Sequence, residues 1–354
     1  MYRKIMGFLE AWKENEHRKP LILQGARQVG KTYSILEFGR IHYENVAYFN
    51  FETNPKLNET FEEKISPDYL IPILSHIAGQ TIVKEKTLIV FDEVQLCERA
   101  LTSLKYFCED APDYHIIVAG SLLGVAVNRA KFSFPVGKVD MKTLYPMDME
   151  EFMIAVGEDE LVEQIKKCFE TNRPMPSALH DAAMQLYRQY LVVGGMPECV
   201  MQFVQTGDYI LIRHTQDTIL TSYLNDMSKY NNLNAIKKTR LAYDNITVQL
   251  SKKNTRFQYN LIKKGGRASE FENAIEWLCL SGIASQVYRV EQIKKPLENY
   301  RDIDAFKIYV SDLGLLCAKK DLAANDILYM VEELNDFKGG MTENYVNVQL
   351  AING

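Results

Sequence analysis

Eight consecutive residues, Gly25-Ala26-Arg27-Gln28-Val29-Gly30-Lys31-Thr32, set two glycines, an ammonium and a hydroxyl at a spacing suited to holding phosphate. They fit the phosphate-loop pattern G-x-x-x-x-G-K-[ST] at every defined position. The glycines let the backbone turn tightly and approach a polyphosphate without a Cβ in the way. Successive N–H groups then face the phosphate oxygens, with a helix N-terminus behind them. Lys31 is expected to neutralise charge on the β- and γ-phosphates, and Thr32 to give Mg2+ a hydroxyl ligand. A plain glycine turn is the bland alternative, and the flanks argue against it. The apolar run Pro20-Leu21-Ile22-Leu23 precedes the loop, and Ile35, Leu36, Phe38 and Ile41 give an approximate helical face after it.

Thr87-Leu88-Ile89-Val90-Phe91 reads as a buried parallel strand, and Asp92-Glu93 follows it. Ligands of open α/β sheets bind at the carboxyl edge where such residues emerge. Asp92 is expected to hold Mg2+, directly or through its waters, and Glu93 to polarise a water for in-line attack. Taken alone, an Asp-Glu pair after a strand is usually a solvated turn. A third strand, 114–119, leads into Gly120-Ser121. Ser121 is read as a sensor of the γ-phosphate, against the alternative of an ordinary strand-to-helix turn.

Positioning these groups takes a sheet with helices around it. Strands at 45–51, 87–91, 114–119 and 135–146 alternate with helices at 67–78 and 98–109, and an amphipathic helix at 2–15 precedes them. The alternation predicts an α/β fold, a parallel sheet with right-handed crossovers, and the phosphate-loop motif on it makes a P-loop NTPase sheet the expectation. From 160 to 250 the pattern turns mostly helical, broken at Val193-Gly194-Gly195-Met196-Pro197. The acids between Asp148 and Glu163 read as a solvated helical face.

Residues 237–267 carry nine Lys or Arg against Asp244, a net +8 in a chain of formal charge −5. Two short helical patterns flank Lys264-Gly265-Gly266-Arg267. A helix from Ser269, read as N-cap with Glu272 three residues on, leads to strands at 283–288 and 306–310. Helices ending in a hairpin is the plan of a winged-helix-like module. Its basic residues are suited either to DNA phosphates or to a protein partner, and no base-reading pattern decides between them.

At 354 residues the chain exceeds one typical core. The expected division is an ATPase domain at 1–150, a helical lid or linker at 151–235, the winged-helix-like module at 236–320, and 321–354. Hydrophobic residues at 47% and charged residues at 25% suit a soluble globular protein and exclude a disordered one. The six cysteines form no C-x-x-C pair and no zinc spacing, so reduced thiols and a cytoplasmic location are expected. No 18-residue apolar run or signal-peptide core suggests a membrane.

Several pieces together resemble prokaryotic AAA-type ATPases with a C-terminal DUF4143 region. They are 24–32, 88–95, 119–122, 144–152 (Leu-Tyr-Pro-Met-Asp-Met-Glu-Glu-Phe), 190–198 (Tyr-Leu-Val-Val-Gly-Gly-Met-Pro-Glu) and 306–315 (Phe-Lys-Ile-Tyr-Val-Ser-Asp-Leu-Gly-Leu). The resemblance implies a RecA/AAA-like P-loop NTPase sheet, ATP contacts from Gly25 to Thr32, metal at Thr32 and Asp92, water activation by Glu93 and a sensor at Ser121. Adenine as the base, and so ATP over GTP, is implied by the resemblance alone. It also implies that 340–350, bearing Glu343, opens a nuclease-like domain, here truncated before its Glu-Val-Asp strand. Relatives often carry an Arg after the sensor; Gly137-Lys138 stands there instead, and Arg129 is the substitute considered.

The leading expectation is a Mg2+-dependent ATPase that couples ATP hydrolysis to a conformational change. The alternatives are a nucleotide-gated switch with little turnover, and a remnant in which ATP or ADP is held only for stability. The oligomeric state stays open.

Overall fold

Leu21, Ile22 and Leu23 are fully buried, which a strand tolerates only when both of its edges are hydrogen-bonded. Their strand, β1 (Leu21–Gly25), has two parallel partners. The computed structural model describes residues 1–121, 135–229, 233–252 and 256–354. In it β2 (Asn45–Asn50), β3 (Thr87–Asp92), β4 (His115–Ser121) and β5 (Asp140–Thr143) join β1 in one sheet ordered β2-β3-β4-β1-β5. Every neighbouring pair is parallel. The mainly helical remainder bears only a two-stranded antiparallel sheet among the described residues.

Around the sheet lie α1 (Ile5–Glu14), α2 (Lys31–His42), α3 (Leu57–Glu63), α4 (Pro67–Ala78) and α5 (Glu98–Asp110). All six residues of β3 are buried, as its unbroken apolar run predicts. Phe91 meets Phe49, Phe51 and Phe61 edge-on at 5.6–6.0 Å, so the strand is locked by aromatic packing. The expected face of α2 is only partly inward: Ile35 and Phe38 are buried, while Ile41 is 53% exposed.

The chain divides into two compact units, Arg3–Leu144 and Tyr145–Gly354 with Met1–Tyr2. The second unit begins with α6 (Met149–Ala155), α7 (Asp159–Glu170), α8 (Ser177–Val193), α9 (Pro197–Thr206) and α10 (Tyr209–Lys229). Then come α11 (Leu233–Leu250), α12 (Tyr259–Ile262), α13 (Ala268–Leu280), the antiparallel pair β6 (Ala284–Val290) and β7 (Arg301–Val310), and α14 (Leu313–Lys319), α15 (Ala324–Tyr329) and α16 (Asn335–Asn353).

Three expectations change here. The basic stretch holds not two short helices but the 18-residue α11 and the four-residue α12. Ala242, Tyr243, Ile246 and Gln249 recur at helical spacing and are buried, and tertiary packing of that face sustains the longer helix. Ser269 is not an N-cap: α13 starts at Ala268, with Arg267 in the cap position and no side-chain cap. The acids after 148 are not all solvated either. Asp148 and Glu151 are buried in a reciprocal capping box, Asp148 accepting from the Glu151 N–H at 2.8 Å and Glu151 from the Asp148 N–H at 3.3 Å.

Residues from 144–152, 190–198 and 306–315 meet in one buried hub of the second unit. The Met147 N–H donates to Gly195 O at 2.7 Å, and the Gly195 N–H donates to Asp312 Oδ2 at 2.6 Å. Asp312 also caps α14 by accepting from the Leu315 N–H at 2.8 Å. A Cβ on Gly195 would lie 2.0 Å from Met147 O, so only glycine allows this approach.

Candidate nucleotide site

Parallel strands put their carboxyl ends on one edge, and the register shows which residues gather there. Gly25 pairs with Ser121 and Asn50 with Asp92. The chain leaves β1 into the glycine loop, where Gln28 and Gly30 take left-handed conformations (φ 65° and 89°). Gly30 is the N-cap of α2, and no side chain caps that terminus. Its first N–H groups are therefore presented as an anion-binding end.

Gly25 has a more local reason than phosphate approach. A Cβ there would stand 2.2 Å from Leu144 O, just beyond β5, whose chain hydrogen-bonds back through the Leu144 N–H to Gln24 O at 2.7 Å. The loop is braced from outside as well: buried Arg3 donates through Nη1 to Val29 O at 3.0 Å. Nothing in the motif pattern points to Arg3. It precedes α1 and reaches the loop only through tertiary folding.

Lys31 Nζ donates to Gly25 O at 3.0 Å and Ala26 O at 2.8 Å, so it lies back over the loop. Burial pushes its ammonium down to about 8, opposed by the charges of Glu93 and Asp92. Thr32 Oγ1 donates to Asp92 Oδ2 at 2.9 Å, bringing the loop and the β3 carboxylate into direct contact across 60 residues of sequence. The same oxygen accepts from the Tyr48 phenol at 2.6 Å, and Asp92 Oδ1 accepts from the Glu93 N–H at 2.9 Å. Tyr48 escaped the motif reading because it lies on β2 and nothing in its local sequence marks it. Burial and the bond to Asp92 push its hydroxyl up to about 12, so it stays a donor at neutral pH.

Glu93 stands in the left-handed region (φ 52°), an uncommon conformation for a non-glycine residue, and its carboxylate accepts from Gln95 Nε2. The site therefore joins Gly25–Thr32, Asp92 and Glu93. Ser121 ends β4 beside Gly25 in the register, but its side chain lies outside the described residues. Arg129 lies outside them altogether. Lys138 is no phosphate clamp. It precedes β5, whose first residue Asp140 pairs with Leu21 at the opposite edge of the sheet, and it is bound to Glu109 at 2.9 Å.

The donor set fits a nucleotide with a divalent ion: uncapped helix N–H groups, one ammonium, and a hydroxyl and a carboxylate already in contact.

Residues 17–153 match an AAA domain family, AAA_14. Residues 184–326 match DUF8612, a domain of unknown function, in place of the DUF4143 region that the resemblance implies. Among solved structures, a Walker-type ATPase of Pyrococcus abyssi is 14% identical, covering 90% of this chain and 95% of that one with a TM-score of 0.54. The RuvB Holliday junction branch migration motor of Thermotoga maritima is also 14% identical, with 80% and 88% covered and a TM-score of 0.35. Orc1 of Aeropyrum pernix, solved in complex with DNA, is 12% identical, with 90% and 91% covered and a TM-score of 0.31. No curated protein matches the chain. The unit Arg3–Leu144, with its five-stranded parallel sheet, has the P-loop NTPase fold. No described helix is long and apolar enough to cross a membrane, and no cluster of three or more His, Cys, Asp or Glu suited to a metal occurs among the described residues.

Proposed function

We propose that the chain binds ATP with Mg2+ and hydrolyses it, and that the cycle drives a change of shape. The contact of Thr32 with Asp92 carries this reading, because it sets a hydroxyl and a carboxylate beside an open helix N-terminus. Gly25–Thr32 cradle the phosphates. Lys31 leaves its loop carbonyls for the β- and γ-phosphates, exchanging two neutral acceptors for charged ones. Thr32 and Asp92 hold the Mg2+, which neutralises charge on the transferring phosphoryl group. Glu93 takes the proton of the attacking water, and the bond from Gln95 fixes its carboxylate. Ser121 reads the γ-phosphate from the neighbouring strand.

Two variants test the assignment. Lys31→Ala loses ATP binding by calorimetry. Glu93→Gln keeps binding but drops phosphate release at least about 100-fold, the scale of a lost general base. Hydrolysis by Glu93→Gln at the parent rate removes Glu93 from the role, and a parent chain silent towards Mg-ATP removes the whole reading.

The second unit is the proposed partner-binding part, with a winged-helix-like module at 236–320. The succession α11, α12, α13 and the β6–β7 hairpin supports that plan. Lys237, Lys238, Lys252, Arg256, Lys264 and Arg267 have no ion-pair partner among the described residues, which favours a polyanion such as DNA as the partner. Lys263 is bound to Glu270, and Lys253 lies outside the described residues.

A further inference from the structure

The Tyr48 phenol has no place in the motif and yet makes the shorter of the two hydroxyl bonds to Asp92 Oδ2. Tyr48 and Asn50 share one face of β2, two residues apart. Asn50 pairs with Asp92 in the sheet register, and Tyr48 with Val90. The long Tyr48 side chain thus reaches along the sheet to the carboxylate at the end of the next strand. Asn50 Nδ2 donates to the phenol oxygen at 3.2 Å, and Asn50 Oδ1 accepts from the N–H groups of Glu52 and Thr53, both at 2.9 Å. Those two backbone bonds fix which way the Asn50 amide points, and so leave its NH2 for Tyr48. A chain of donors therefore runs from the turn after β2 through Asn50 and Tyr48 to Asp92.

On the proposed reading of the site, we infer that Tyr48 is a positioning residue for the metal. It saturates Oδ2 together with Thr32, locks the Asp92 carboxylate in one rotamer, and leaves Oδ1, with its single backbone donor, the accepting capacity to meet the ion or its waters. Tyr48 is 38% exposed and stands outside the buried core, so removing its hydroxyl bears on this bond rather than on core packing.

Tyr48→Phe removes one oxygen and keeps the ring. The probe is Mn2+, titrated against the full chain with ADP and followed by its electron paramagnetic resonance signal. ADP affinity is also measured by calorimetry in EDTA. Loss of an outer partner of a ligating carboxylate weakens metal binding by about 10- to 100-fold, while ADP affinity in EDTA stays within about twofold of the parent. Mn2+ affinity unchanged in Tyr48→Phe, with ADP still bound, overturns the role of Tyr48 and leaves the nucleotide reading standing. Equal losses in Mn2+ and in EDTA make Tyr48 merely structural, which also overturns it. A parent chain that binds no ADP overturns both readings at once.

Discussion

Gly195→Ala is the sharpest test of how the second unit is held together. The new methyl carbon would lie 2.0 Å from Met147 O and 2.8 Å from Met147 N, and both are backbone atoms that cannot rotate away. Relief needs a shift of about 1 Å, which breaks the bonds on either side of Gly195. The Met147 N–H to Gly195 O bond is neutral and worth about 0.5–1.5 kcal/mol, and the Gly195 N–H bond to the Asp312 carboxylate about 1.5–3 kcal/mol. The expected loss is about 2–4 kcal/mol, a large share of a domain's net stability of about 5–15 kcal/mol. Amide hydrogen exchange by mass spectrometry reads this locally. Peptides containing Met147, Gly195 and Asp312 should exchange about 30- to 1000-fold faster, while those of β1 and β3 keep their protection. Gly339→Ala is the control: nothing stands within 4 Å of its added Cβ, and in the helix α16 it should stabilise by up to about 1 kcal/mol. Exchange in Gly195→Ala within about threefold of the parent would refute the clash and the hub built on it.

Two further outcomes follow from charge. Burial pushes the Asp312 carboxyl from 3.8 up to about 6, although the N–H groups of Leu315, Gly195, Gly314 and Met196 pull the other way. The folded state then keeps a proton that the unfolded state has lost, so stability is greatest below about pH 4 as regards this group and falls as pH rises to about 6. The loss is on the order of 3 kcal/mol, measured as the difference in urea unfolding between the parent and Asp312→Asn across pH 4–7; a difference independent of pH would mean the carboxyl is not perturbed. Separately, duplex DNA binding should weaken steeply with salt. Replacing Lys252, Arg256, Lys264 and Arg267 together should flatten the log–log slope by about 0.9 for each phosphate that is no longer neutralised, and an unchanged slope would rule out DNA on this surface.

The glycine turn after β1 and the strand ending in Asp92 were legible because their signals are local. A tight glycine turn, a following ammonium and hydroxyl, and an apolar run ending in acids are all written in consecutive residues. The five parallel strands were legible too, through β–α alternation. Boundaries set by packing were not: α11 runs on because α13 covers its buried face, and Asp148 and Glu151 are buried although their neighbourhood is acidic.

By itself, the sequence determined where the glycine loop and the Asp-Glu pair fall and which edge of the sheet presents them. Tertiary structure alone decided that Thr32 and Tyr48 share one oxygen of Asp92, that Arg3 braces the loop at Val29, that Lys138 lies at the far edge, and that Met147, Gly195 and Asp312 converge. The physical reason is sequence separation. Bonds between residues tens to more than a hundred positions apart form only where strand order and register bring them together, and neither periodicity nor motif spacing encodes that order.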